Sequence, residues 1–196
     1  MQAIFLDIET TGLDSTRHCP IDVAFEVVDM VTCQRKCRYQ SLIKQPTSVW
    51  ERADPISLQI NGYTYEQIST GKDSVTVSDE IISIYTSLGI ERGKAVFICQ
   101  NPAFDRGFFM QLVDVYTQER LNWPYHWLDF ASMYWALVLQ KTKNTETLFP
   151  ECINLSKNEI AKAYNLPEEK TPHRAIQGVE HLMTCYQTVF GLQFSN

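Results

Sequence analysis

The sequence lacks what would place it in a membrane or outside the globular class. Its longest apolar runs, such as the one through Trp135 and Leu139, fall far short of the ~20 residues that a spanning helix needs. The N-terminus has neither the basic flank nor the small-residue cleavage site of a signal peptide, and it enters a strand-like run at once. No membrane association is therefore expected, and a cytoplasmic location is. There is no internal repeat and no low-complexity stretch, which excludes solenoids and disordered tails. The six cysteines, Cys19, Cys33, Cys37, Cys99, Cys152 and Cys185, form no CxxC pair. That spacing argues against a zinc module, Cys33 and Cys37 included, and favours reduced thiols, several of them small core residues. Positive charge is scarce as well: 17 Lys and Arg against 23 Asp and Glu leave a net charge of −6. Such a balance argues against a protein whose main task is to grip nucleic acid by its phosphates. It leaves room for an enzyme that sets Mg²⁺ between its own carboxylates and a phosphate, where the ion supplies the local positive charge.

What the sequence does have is enough apolar material, 44% of 196 residues, for one sizeable core. A single domain over residues 1–196 is expected. Residues 2–8, QAIFLDI, read as a buried strand. Residues 21–30 and 33–43 are rich in β-branched and apolar types and read as a hairpin beside it. Residues 45–75, with Pro46, Pro55, Gly62 and Gly71, read as loops with one short helix. A helix is expected from Ser78 to Leu88, ended by Gly89, and a strand over residues 96–99. Asn101-Pro102 reads as a cap followed by the first helical position. Trp127-Leu128 reads as a short strand followed by a helix over residues 129–139. Ser156 with Glu159 forms a capping-box pattern for a helix through Tyr164. Thr171-Pro172 repeats the cap-plus-proline signal and opens a last helix that reaches about Phe190. Strands first and alternating helices later describe an α/β domain with a mixed central sheet and helices on its faces.

Three features of this map carry chemistry. Asp7 and Glu9 stand two apart at the end of the first strand, so both carboxylates share a face while Ile8 packs the other way. Asp105 falls in the first turn of the helix that Asn101 opens. His173 is expected in the first turn of the helix that Thr171 opens. Strand ends and helix starts are where ligand sites gather in α/β sheets. Taken singly, each has a bland reading: solvated acids at a strand end, an Asp that favours a helix dipole, an exposed His. Together, clustered carboxylates that suit Mg²⁺ or Mn²⁺ and one imidazole fit two-metal hydrolysis of a phosphodiester.

DIETTGLD at 7–14 resembles the first motif of the DnaQ-like (DEDDh) exonuclease family, which includes the proofreading subunit of bacterial DNA polymerase III and ribonuclease T. NPAFD at 101–105 resembles the second motif. HRAIQG at 173–178 resembles the third, which is His, four residues, then Asp. The resemblance implies a ribonuclease H-like fold and stepwise release of nucleoside monophosphates from the 3′ end of single-stranded DNA or RNA. It implies that Asp7 bridges two metals, Glu9 ligates the first and Asp105 holds the second. His173 would deprotonate the attacking water, a role that suits an imidazole near neutral pH. Thr10, Thr11, Gly12 and Leu13 would line the terminal nucleotide, with Leu13 wedged against a base. Phe104 reads as a core aromatic.

One position departs from the pattern. Where the third motif ends in Asp, this chain has Gly178, which is neither a metal ligand nor a good helix former. On a helix continued from His173, Glu180 points away, His181 lies a turn too far, and Gln177 is uncharged, so none replaces it. The departure leaves two expectations. One is a metal-dependent 3′–5′ exonuclease weakened at that position; the other is an inactive nucleic-acid-binding or polymerase-associated module of the same fold. The chain stops soon after its last helix, so a stand-alone domain, or one that docks on a DNA polymerase subunit through its own surface, is expected.

Overall fold

The computed structural model describes residues 1–143 and 150–196. At its centre is a mixed sheet of β1 (Gln2–Thr10), β2 (Pro20–Asp29), β3 (Gln34–Leu42), β4 (Ala95–Cys99) and β5 (Trp127–Asp129), in the order β3-β2-β1-β4-β5. β1, β2 and β3 form an antiparallel meander, while β4 and β5 run parallel to β1. The helices are α1 (Thr47–Trp50), α2 (Pro55–Asn61), α3 (Tyr65–Ser69), α4 (Ser74–Ser87), α5 (Pro102–Leu112), α6 (Val115–Arg120), α7 (Phe130–Lys143), α8 (Lys157–Ala163) and α9 (Ala175–Phe190).

Alternation along β1 sorts its side chains onto two cores. Ile4, Leu6 and Ile8 pack with Val77, Ile81 and Tyr85 of α4 and with Phe108 and Phe109 of α5. Ala3 and Phe5 face the other way, onto Ile160 of α8 and Val179, Leu182 and Met183 of α9. Phe5 is fully buried there, its ring 5.1 Å from Tyr186 and 5.6 Å from Phe194. Burial of a side chain of this kind contributes roughly 1.5–3 kcal/mol, and truncation to Ala would remove that and leave a cavity. The same alternation carries Asp7 and Glu9 onto the α9 face.

Several helix boundaries differ from the sequence expectation, each for a local reason. Residues 45–75 hold three short helices. Asp54 caps α2 by accepting from the Ile56 amide, with Pro55 at the first position, and Thr64 and Gln67 close a full capping box on α3. α4 starts at Ser74 because Asp73 accepts from the Thr76 amide at 2.8 Å. α6, absent from the sequence reading, is capped by Asp114. Asn101 precedes α5 but gives it no side-chain cap; it lies in the left-handed region at φ 60°, and its amide donates to Asp129 at 3.1 Å. Only the Ser156 half of the α8 capping box forms. Phe104 is half-buried against the α4–α5 core, as a core aromatic should be.

The start of α9 is the largest correction. Thr171 does not cap it: the Thr171–Pro172 peptide is cis, and the helix begins at Ala175. Arg174 at the cap position gives the helix no side-chain cap either. The Ala175 amide donates instead to the Asp22 carboxylate of β2, at 3.1 Å. A carboxylate from the sheet thus caps the helix and sets its first turn over the end of β1. His173 lies before the helix rather than in it, so the angular relation drawn from His173 to residue 178 does not apply.

Candidate functional site

The site forms where β1 outruns its parallel neighbour. β1 pairs with β4 only from Gln2 to Phe5, so its edge beyond Phe5 is open on that side. On the other side Glu9 stands directly opposite Asp22 of β2. α5 starts just after β4 and brings Asp105, 3% exposed, to the open edge. There the Ile8 backbone and the Asp7 charge both act on its carboxyl. Asp7 is thus close enough to Glu9 on one side and to Asp105 on the other for its charge to raise both carboxyls.

Their electrostatics follow from crowding in a dry place. Burial, with Glu169 and Asp22 adding and Lys157 and His173 opposing, pushes the Asp7 carboxyl up to about 6. Burial and then the neighbouring Asp7 and Asp22 charges push Glu9 up to about 8. Burial, with Asp7 next, holds Asp105 well above the usual carboxylate range. Asp22 is raised by burial, and bonds from Tyr63 (2.6 Å), Gln40 and the Ala175 amide oppose the shift. The cluster holds more negative charge than its surroundings balance.

Sequence reasoning missed three members of this cluster. Lys157, at the first position of α8, is 8% exposed. Its ammonium lies 2.9 Å from Glu169 and 3.9 Å from Asp7, and it donates to the Gly178 carbonyl at 3.2 Å. Burial lowers its pKa, but Asp7 and Glu169 more than offset this, so it stays above its usual value. Glu169 is anchored through its backbone amide, which donates to Asn158 of α8 at 2.9 Å. Asp22 is the third. An acid inside a mostly apolar strand, directly after Ile21, was the available signal for it.

Gly178 is buried and faces the site. A Cβ built there would lie 2.3 Å from Asp7 Oδ2 and 2.6 Å from its Cγ. Asp7 therefore occupies the space that a side chain at 178 would need. The other candidates stay out: Glu180 pairs with Arg38 on the exposed side, and His181 Nε2 bonds the Pro167 carbonyl at 2.9 Å.

His173 stands at the rim, half-buried and near enough to Asp7 to lower its pKa. Its backbone amide donates to Ile60 at the end of α2, at 3.0 Å. The next residue, Arg174, lies over the Tyr63 ring at 3.9 Å and donates to the Asn61 carbonyl. Tyr63 in turn donates to Asp22. One network thus fixes the His173 backbone, the start of α9 and a carboxylate opposite Glu9.

The loop after β1 uses its side chains internally. Thr10 is 4% exposed and donates to the Gly12 carbonyl at 2.7 Å, while Thr11 is 1% exposed and its hydroxyl accepts from the Cys19 amide. Gly12 is small because the His18 imidazole lies against it; a Cβ would come within 2.5 Å of that ring. Of the four residues expected to line a nucleotide, Leu13 alone projects outward, at 74% exposure.

Asp7, Glu9 and Asp105 are hard oxygen donors short of positive charge, which fits a divalent cation such as Mg²⁺ or Mn²⁺. Among the described residues, no group of three His, Cys, Asp or Glu side chains is arranged, as it stands, to hold a metal ion. The six cysteines are free, and no described helix is long and apolar enough to cross a membrane.

No family model matches the chain, and no curated protein matches its sequence. Solved structures match its fold. A structure of exonuclease I, described as suggesting how processivity is achieved, superposes with a TM-score of 0.78 over 98% of this chain at 16% identity. The zinc-bound complex of E. coli exonuclease I with single-stranded DNA gives 0.76 over 97% at 16% identity, and cell-death related nuclease 4 gives 0.71 over 97% at 14%. The chain spans 41%, 40% and 64% of those three proteins. The shared element is the fold: a ribonuclease H-like mixed sheet flanked by helices.

Proposed function

We propose that the chain is a metal-dependent 3′–5′ exonuclease that releases nucleoside monophosphates from the 3′ end of single-stranded DNA or RNA. The observation that carries this reading is the charge-crowded set Asp7, Glu9 and Asp105 at the open end of β1, with His173 at its rim. Such a set, on a fold shared with exonuclease I and cell-death related nuclease 4, supports phosphodiester hydrolysis. Asp7, Glu9 and Asp105 would hold Mg²⁺ or Mn²⁺, which supplies the positive charge that an anionic phosphodiester needs in an acidic site. His173 takes the proton of the attacking water at an imidazole nitrogen, and its backbone bond to Ile60 holds the main chain of that residue in place. Asp22 and Tyr63 hold the start of α9 and so the approach of His173 to Asp7. Leu13, exposed beside the site, packs against the terminal base.

The reading is tested with single-stranded DNA and RNA carrying label at the 3′ or the 5′ end, in Mn²⁺ or EDTA. Mononucleotides should leave the 3′-labelled strand first, and EDTA should stop them. Internal cleavage, or release from the 5′ end, would overturn it. A second reading, an inactive nucleic-acid-binding module, is favoured by one observation: Gly178 leaves no space for a fourth carboxylate beside Asp7. It requires strand binding with no release in either metal.

A further inference from the structure

We propose that Lys157 is a built-in cation of this site: its ammonium supplies beside Asp7 the positive charge of a second metal ion, so that the chain takes one divalent cation and not two. The inference rests on the reading that Asp7, Glu9 and Asp105 hold a metal.

The position of Lys157 is physically costly. A cation in the first turn of a helix opposes the helix dipole, and a buried ammonium loses its hydration. The chain nevertheless buries it to 8% exposure and surrounds it with acceptors. Glu169 lies at 2.9 Å, the Gly178 carbonyl at 3.2 Å and Asp7 at 3.9 Å. An ion pair that merely joined α8 to the segment before α9 would need Glu169 alone. Here the ammonium also faces Asp7, the carboxylate that the family resemblance assigns to both metals, and the carbonyl of the residue that replaces the expected fourth ligand.

Gly178 and Lys157 are two parts of one arrangement. A side chain at 178 would meet Asp7 Oδ2 at 2.3 Å, so the Asp7 carboxylate rests against α9 only because residue 178 has none. In that position it faces the Lys157 ammonium. Gly178 takes away one negative charge that the family pattern places beside Asp7, and the Lys157 ammonium, shared with Glu169, sets a positive charge there instead. Arginine would not serve as well, since the compact ammonium fits three acceptors from different directions where a planar fork does not. The anchoring of Glu169 by Asn158 fixes the ammonium from the far side. Lys157 thus acts through Asp7 as a positioning residue.

The test is a titration of the metal-free full chain with Mn²⁺, read by calorimetry as ions bound per chain. One ion is expected; two ions, or none, overturns the proposal. Lys157→Met gives the second reading. Because it leaves Glu169 buried without its partner, Lys157→Met/Glu169→Gln is measured beside it, so that a folding failure of the single variant does not end the test. The double variant loses one charge of each sign, but Lys157 acts on Asp7 more strongly than Glu169 does, so it should bind Mn²⁺ tighter by about two- to threefold, yet release 3′ nucleotides more slowly. A purely structural ion pair would leave the number of ions and their affinity unchanged, and that result would overturn the proposal. Neither calorimetric reading uses hydrolysis. A chain that binds two ions and degrades strands refutes Lys157 as a cation and spares the exonuclease reading; a chain that binds one ion and degrades nothing does the reverse.

Discussion

Two places on the α9 face of the sheet bury carboxylates, and they are built differently. Glu26 of β2 is 1% exposed, directly opposite Phe5, and two guanidiniums reach it: Arg35 at 3.1 Å and Arg38 at 3.4 Å. Two and four residues further along β1, Asp7 and Glu9 share that face, Asp105 of α5 neighbours Asp7, and Lys157 approaches Asp7 no closer than 3.9 Å. Glu26 is a finished structural pairing. The end of β1 is a region where carboxylates outnumber the cations beside them, and burial with mutual repulsion raises Asp7 to about 6 and Glu9 to about 8. The difference teaches which of these acids are structure and which await a ligand: Glu26 comes with two guanidiniums, whereas the one ammonium beside Asp7 is shared with Glu169.

The largest expected effect separates the chemistry from the cation. His173→Ala should slow 3′ nucleotide release by about 10²–10⁴-fold, because a positioned base supplies that much. Its Mn²⁺ affinity, measured by calorimetry, should stay near that of the parent chain. Equal rates for the two proteins would remove His173 from the mechanism.

Gly178→Ala tests how tightly the site is closed. Helix propensity favours Ala by about 1 kcal/mol, but a Cβ at 2.3 Å from Asp7 Oδ2 forces Asp7 or α9 to move, and overpacking of this kind costs about 1–3 kcal/mol. The net should be a loss of roughly 1 kcal/mol in urea unfolding, with slower nucleotide release. A stabilised and fully active Gly178→Ala chain would contradict the placement of Asp7. By the same geometry, Gly178→Asp should destabilise the chain and not restore a family-type site.

A smaller effect contrasts the two regions through pH. In the metal-free chain, Asp7 and Glu9 bind protons more tightly when folded than when unfolded, about 6 against 3.8 and about 8 against 4.5. Between those values the folded state holds protons that the unfolded state has released. Stability is therefore fully present below about pH 4 on account of these groups and falls as pH rises to about 8. Melting temperatures across that range should fall in EDTA and fall less in Mn²⁺, which replaces the protons. Glu9→Gln should flatten the slope. Arg35→Ala, which strips one of two partners from Glu26, should lower the melting temperature by an amount equivalent to about 1 kcal/mol and leave the Mn²⁺ response unchanged.

What could be read in the sequence is what depends on neighbours along the chain. Alternation in QAIFLDIE placed Asp7 and Glu9 on one face, Pro102 placed the start of α5 and so Asp105, and the strands fell within a residue or two of their expected ends. What could not be read depends on packing between distant segments. Lys157 follows Ser156 at a helix start and reads as a solvated charge; its burial needs α9 to present a residue without a side chain. Thr171-Pro172 reads as a helix start, and the Asp22 carboxylate, remote in sequence, overrides it by taking the Ala175 amide. Thr10 and Thr11 read as ligand-facing, yet the hydrogen bonds that shape their own loop use both hydroxyls.

The central claim is that the acids at the end of β1 form a cation-dependent hydrolytic site. It is tested most directly by comparing the parent chain with Asp7→Asn, a change that keeps the shape and removes the charge. Both proteins are given 3′-labelled single-stranded DNA and RNA in Mn²⁺, with EDTA as the control. The parent should release labelled mononucleotides in Mn²⁺ alone, and Asp7→Asn should release none above the EDTA background. Equal release by the two proteins, or release by the parent that EDTA leaves untouched, would contradict the account.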